Sequence, residues 1–342
     1  MPIPYSVLDL APVASGSSET TALRNSLDLA RATERLGYHR YWVAEHHNMP
    51  GIASSAPAVL LAHIAMATER IRVGSGGVML PNHAPLVVAE QFGMLEALHP
   101  GRVDLGIGRA PGTDQVTARA LRRTEGSLSA DDFPEQLIEL ANYFTGRDSN
   151  GVTAVPALGN QPTIWLLGSS GYSAQAAGYL GLPFAFAHHF SSENTLPALE
   201  LYREKFKPSA ILSQPYSMIA VNVVCAEDDE TALRLAEPAA LQFLQLRKGS
   251  PGRLPSPEET AAYPYSELDR LFIEERMSSQ IVGGPETVRR KIEDLLAKTG
   301  VHELMITTSV FEHADRVRSY ERVAEIVGLA AATVAGAPSG PA

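Results

Sequence analysis

The sequence predicts one α/β domain, a closed (β/α)8 TIM barrel over residues 1–330, with residues 331–342 as a flexible tail of small residues. Three observations carry this. Eight short, apolar segments are spread along the chain, most followed by a helix-forming stretch, as in a parallel sheet covered on both faces. Helical stretches end at glycine, and a β-branched or aromatic run follows at once. No linker, composition break or internal repeat divides the chain. Eight segments over this length suit a closed barrel; an open, doubly wound sheet is the alternative.

The elements follow in order. Pro4 to Leu10 is the first strand. Ser18 to Leu36 reads as a helix, with Ser18 as cap, Glu19 in the first turn and Leu23, Leu27 and Ala30 on one face. Gly37 stops it, and Tyr38 to Ala44 forms the second strand. Ile71 to Ser75, Val103 to Ile107 and Thr163 to Leu167 supply the third to fifth. A helix over Ala174 to Leu180 ends at Gly181 before the sixth strand, Phe184 to Ala187, and Ser217 to Val224 is the seventh. Pro285 opens a helix with Val288, Ile292 and Leu295 on its buried stripe. Gly300 ends it before the last strand, Glu303 to Thr308.

Two segments depart from this rhythm. Leu121 to Asn160 is longer than a loop needs and holds a helical patch, Phe133 to Phe144. Arg247 to Gln280 is rich in Pro and Gly and reads as a long irregular excursion, either a mobile lid or a solvated insertion. The helices after Gly51 and Pro81 are apolar enough for a homodimer interface, with Ala58, Leu61, Ala65, Leu86, Ala89 and Phe92 as its stripes.

The balance of side chains narrows the function. Of 342 residues, 45% are apolar and the net charge is −10, so a sizeable core is feasible and a phosphate backbone would be repelled. A nucleic-acid partner is excluded on that ground. A single cysteine, Cys225, rules out an internal disulfide and a cysteine-based metal cluster. Met1 to Leu10 lacks the basic residues of a signal peptide, and Ala56 to Ala67 is too short to span a bilayer. A cytoplasmic protein without a membrane partner is expected.

In a barrel, chemistry gathers at the C-terminal ends of the strands. The second ends in Glu45-His46-His47, and histidine is suited to proton transfer near neutrality. Strand alternation turns one of the two histidines into the pocket and leaves the other to pack or to bond a carboxylate. Paired structural histidines, or a metal site with His188 and His189, are the other readings, although the His-x-His strand end of metal-hydrolase barrels is absent. The fifth strand ends in Gly168-Ser169-Ser170-Gly171 and opens a helix near Ser173, where hydroxyls and helix N–H groups suit an anion. Arg109, one strand away, supplies a planar cation for a phosphate. Gly76, Gly77 and Gly108 leave room for a flat ring, or serve close packing.

These segments resemble the bacterial-luciferase-like monooxygenase family, also described as LLM class flavin-dependent oxidoreductases. The matching runs are Tyr41-Trp42-Val43-Ala44-Glu45-His46-His47, Arg72 to Pro81, Gly101 to Arg109 and Gly181-Leu182-Pro183-Phe184. They stand in the family's order and spacing over the chain up to about Val327. The resemblance implies a barrel that binds reduced FMN from a separate NAD(P)H:flavin reductase and uses O2 to oxygenate a small molecule. It assigns His46 as the active-site histidine near the flavin. Gly76 and Gly77 match a strand end that often carries a cis non-proline peptide beneath the ring. Arg109, Ser170 and Ser173 match phosphate contacts, and His188 matches a flavin-lining position. Luciferase has an aromatic at that last position, so light emission is not expected. The Arg247 to Gln280 segment corresponds to the family's mobile loop. F420-dependent hydride transfer and a non-catalytic flavin-binding protein are the alternatives.

Overall fold

The computed structural model describes residues 3–110, 114–122, 132–147 and 151–329. Nine strands form: β1 Tyr5–Asp9, β2 Arg40–Val43, β3 Arg72–Met79, β4 Val103–Gly108, β5 Thr163–Gly168, β6 Phe184–Phe186, β7 Ser217–Cys225, β8 Ile281–Gly283 and β9 Glu303–Thr307. Eight of them close a parallel ring. Each of β1 to β6 pairs with the next, β6 pairs with β7, β7 with β9, and β9 with β1. The fold is the predicted barrel.

The eight predicted strands all occur, with two informative differences. β3 runs on to Met79, because the strand does not end at Gly76 and Gly77 but continues its pairing with β4 past them through a register shift. β8 was not anticipated. It is three residues long and pairs outside the ring with the far end of β7, Val223 to Cys225. A run that short carries no periodicity to detect.

Helices end where glycine permits. Glu19–Arg35 is capped by Ser18, whose hydroxyl accepts from the Thr21 amide. Gly171–Leu180 and Pro285–Thr299 stop at Gly181 and Gly300, both left-handed. The helical patch in the first excursion is Phe133–Thr145; residues 123–131 and 148–150 of that excursion lie outside the described residues, as does the whole of the expected tail, 331–342.

The second excursion is not irregular. It forms two short helices, Pro257–Ala262 and Glu267–Ser278, each opened by a capping box, Ser256 with Glu259 and Ser266 with Asp269. Together with the helix Asp229–Arg247 and β8 they make an insertion between β7 and the outer helix Pro285–Thr299. Backbone bonds tie this roof to the β1 loop, from Ser15 to Leu254 and from Leu254 to Val13.

Two cores hold the barrel. The larger lies between strands and helices. The smaller fills the interior with Leu8, Trp42, Trp165, Met218 and Met305, where the two indoles meet edge-to-face at 5.3 Å. Below them, at the N-terminal ends of the strands, Asp104 accepts from Arg40 (2.8 Å), Arg72 (2.5 Å) and the Trp42 indole (3.1 Å). Arg40 also bonds Glu303 at 2.9 Å, and Ser6 and Tyr216 donate to the same carboxylate.

The expected dimer stripes are corrected. Leu61, Ala65, Ala89 and Phe92 are at most 1% exposed and pack in this chain's own core, with Ala58 and Leu86 against it. The helices Pro57–Ala67 and Pro85–Leu98 are apolar on more than one side. Their outer faces leave Val59, Met66, Met94 and Leu98 more than half exposed.

Candidate functional site at the barrel mouth

The chain leaves β2 at Val43, so strand alternation does not reach the Glu45-His46-His47 segment. The two histidines separate nonetheless. His46 lines a cavity of about 230 Å3 under the roof, while His47 turns to Glu45. Glu45 is fully buried and accepts from His47 Nε2 (2.9 Å), His83 Nε2 (2.8 Å) and the Met79 amide (3.0 Å). Burial alone would raise the Glu45 pKa, but the bonds from His47 and His83 outweigh it and hold the carboxyl at about 2. An ionised carboxylate only accepts, so each Nε2 carries the proton. This cluster ties the β2 and β3 ends together beside the cavity. His83 completes it, a role that its place just beyond the third strand only hinted at.

The cavity draws its walls from β1, the β2 loop, β6, β7, β9 and the roof. Leu10, Ile52, Phe190, Val224 and Phe243 give it an apolar lining, with His46, His189, Asn222, Arg276 and Thr307 as polar members. On the β6 side it is His189, not His188, that reaches this wall. His188 instead bonds the Thr195 hydroxyl at 2.7 Å through Nδ1. Neighbours in a loop turn apart, and residue count along β6 does not tell which faces inward. His189 Nδ1 lies 3.0 Å from the Ala220 carbonyl oxygen and donates to it, leaving Nε2 as the acceptor. Burial pushes the His189 pKa down to about 4, so the ring is neutral at physiological pH.

The β4–β5 flank is different in character. Arg109 stacks 4.1 Å over the ring of Tyr172 at the start of the helix Gly171–Leu180. Ser170 is that helix's N-cap, in extended conformation, and its side chain makes no capping bond. Ser169 and Ser170 are exposed, and Ser173 is buried against Gly168, where a Cβ would stand 2.8 Å from its hydroxyl. The first turn of the helix, two exposed hydroxyls at its start and the guanidinium over Tyr172 thus belong to one corner of the mouth. That set fits a phosphate. Tyr172, which fixes Arg109, was not singled out in the sequence; only its place after Gly171 marks it.

Between the flanks, the Gly76–Gly77 peptide is cis, as the family resemblance implied. A Cβ on Gly76 would come within 2.7 Å of Leu8, and one on Gly77 within 2.8 Å of the Gly106 carbonyl. Close approach of β3 to β4 and to the barrel interior requires both glycines. Among the described residues no cluster of three or more His, Cys, Asp or Glu is arranged to hold a metal, and no helix is long and apolar enough to cross a membrane.

Comparison with known proteins agrees with this geometry. The family model described as luciferase-like monooxygenase matches residues 3–303. The chain belongs to this family. A luciferase-like monooxygenase of Escherichia coli K12 is 47% identical over 325 residues, covering 95% of this chain and 97% of its own. The crystal structure of apo-MsnO8 is 38% identical, with a TM-score of 0.89 over 96% of this chain and 99% of that one. The oxygenating constituent of 3,6-diketocamphane monooxygenase, solved in complex with FMN, shares the fold at 18% identity. Its TM-score is 0.73, with 96% and 98% of the two chains covered. Membership of a monooxygenase family makes this luciferase-like chain an oxidoreductase.

Proposed function

We propose that this protein is a monooxygenase that takes reduced FMN from a separate NAD(P)H:flavin reductase and uses O2 to oxygenate a small organic substrate. The observation that carries this is the phosphate-shaped corner made by Arg109, stacked on Tyr172, and the N-terminus of the helix Gly171–Leu180. FMN, when bound, supplies the two electrons that activate O2. The chain's own residues do the rest. Arg109, Ser169, Ser170 and Ser173 hold the phosphate, and Gly76, Gly77 and His188 border the ring. His46 faces the neighbouring cavity, where its imidazole exchanges a proton with the reacting groups. The roof formed by residues 229–284 keeps water out of that cavity and acts as its lid.

Calorimetric titration with FMN tests the phosphate assignment. Arg109→Ala is expected to weaken binding by about 1.5–3 kcal/mol, the scale of a charge-assisted hydrogen bond. Equal affinities would remove Arg109 from the site. Oxygenated product formed per O2 consumed with reduced FMN separates this chemistry from F420-dependent hydride transfer, which inserts no oxygen, and from flavin binding without turnover, which yields only hydrogen peroxide.

The protein is also proposed to be a homodimer through the outer faces of Pro57–Ala67 and Pro85–Leu98. Sedimentation at micromolar concentration should show a dimer, and Met66→Asp should shift it toward monomer, because a charge replaces a side chain that is 78% exposed in the single chain. A monomeric wild type would end this reading.

A further inference from the structure

Arg276, in the roof helix Glu267–Ser278, lines the cavity but has been given no role there. Its guanidinium carbon lies 3.3 Å from the centre of the Phe243 ring, which stacks in turn on Phe272 at 6.0 Å and 5°. Stacking uses the face of a guanidinium. Its N–H donors lie in the plane and are left over. Nε is buried without a hydrogen-bond partner, and the buried acid of its own helix, Asp269, pairs with Lys248 instead. The group lines the cavity that also holds His46 and His189.

A second polar group in the same wall is equally unanswered. Thr307, at the C-terminal end of β9, is 1% exposed, and its hydroxyl has no protein partner. A buried guanidinium edge and a buried hydroxyl without acceptors are costly unless a ligand satisfies them. The charge around them has one sign. Burial first, then the nearby Arg247, pulls the Arg276 pKa down to about 10, as befits a cation with no counter-ion beside it. His189 is held neutral, and the other polar side chains of the wall, Asn222, Gln242, Gln280 and Ser309, carry no charge.

We infer that the cavity binds a compact organic substrate carrying a carboxylate, which Arg276 receives edge-on, with Thr307 as a further hydrogen-bonding group and the apolar part against Phe243 and Ile52. The inference deepens the proposed monooxygenase reading by naming the class of its substrate. It does not duplicate the phosphate corner. In ring order β4, which leads to Arg109, stands opposite β9, which carries Thr307, and Arg109 does not line the cavity that Arg276 and Thr307 share. Each arginine lies over one aromatic ring, a parallel that fits two anionic groups at once.

Hexanoate and hexanamide, alike in shape and different in charge, are the probes. Calorimetry on the full-length protein, with and without FMN, should show hexanoate binding at least about tenfold tighter than hexanamide. Arg276→Met should abolish that preference with melting temperature and FMN affinity unchanged, and Arg276→Lys should restore part of it. Equal binding of the two probes to wild type, binding of neither, or a preference that survives in Arg276→Met would overturn the inference. Loss of FMN affinity in Arg276→Met, without loss of hexanoate, would overturn it too by making Arg276 a flavin contact. A hexanoate preference in a protein that fails to bind FMN would sustain the carboxylate site and defeat the flavin reading instead.

Discussion

Asp104→Ala is expected to destabilise the protein by about 3–5 kcal/mol, the usual consequence of removing one partner from a buried ion pair. Asp104 is fully buried and accepts from Arg40, Arg72 and the Trp42 indole. Its loss leaves two guanidinium groups facing a low-dielectric barrel floor with only Glu303 to balance them. The network lies at the N-terminal ends of the strands, away from the mouth, so FMN affinity of the folded fraction should not change. Urea unfolding followed by circular dichroism measures the difference, with FMN titration as control. A cost below about 1 kcal/mol would mean that water or rearrangement satisfies the arginines.

The larger effect on activity is expected at His46. Removing a positioned acid–base group typically costs about 10²–10⁴-fold. With any compound that the wild-type protein oxygenates, His46→Ala should form product more slowly by that factor and release most of the oxygen consumed as hydrogen peroxide. Its melting temperature and FMN affinity should match wild type. His47→Ala should do the reverse. It removes a donor from a buried carboxylate, which lowers stability by about 1.5–3 kcal/mol, and leaves the product-to-peroxide ratio of the folded protein unchanged. The measurement is product and peroxide per O2 consumed, with thermal unfolding alongside. An unchanged ratio in His46→Ala would defeat the assignment.

The barrel was legible because each of its strands is a buried apolar run and several of its helices, Gly171–Leu180, Pro285–Thr299 and His313–Val327 among them, stop at a glycine, signals that survive without tertiary context. The mouth was legible in part. Glu45, His46 and His47 stood out by residue type, and Arg109 with the serine turn by chemistry. The choice of His189 over His188 depended on how the chain turns after Phe186, which no local period encodes. Arg276 escaped notice because its isolation is a property of what surrounds it; in sequence it is one of several charged residues on an exposed-looking helix. The two capping boxes were present in the excursion as Ser256 with Glu259 and Ser266 with Asp269, but its prolines and glycines read as an irregular lid or insertion. Pro257 in fact opens a helix.

The seam between the first and last barrel strands has a consequence for how the chain is made. Tyr5 pairs with Leu304, and Ser6 and Arg40 both bond Glu303. A ribosome delivers β1 first and β9 last, so all the residues between them must be synthesised before the ring can shut. Until then β1 and β7 each present an open edge of unpaired amides and carbonyls, and Arg40 lacks one of its two counter-charges. Closure across some 300 residues carries a loop-entropy cost that local helix formation does not. Nascent chains that stop short of Thr307 are therefore the form of this protein most exposed to aggregation and most in need of a chaperone's hold.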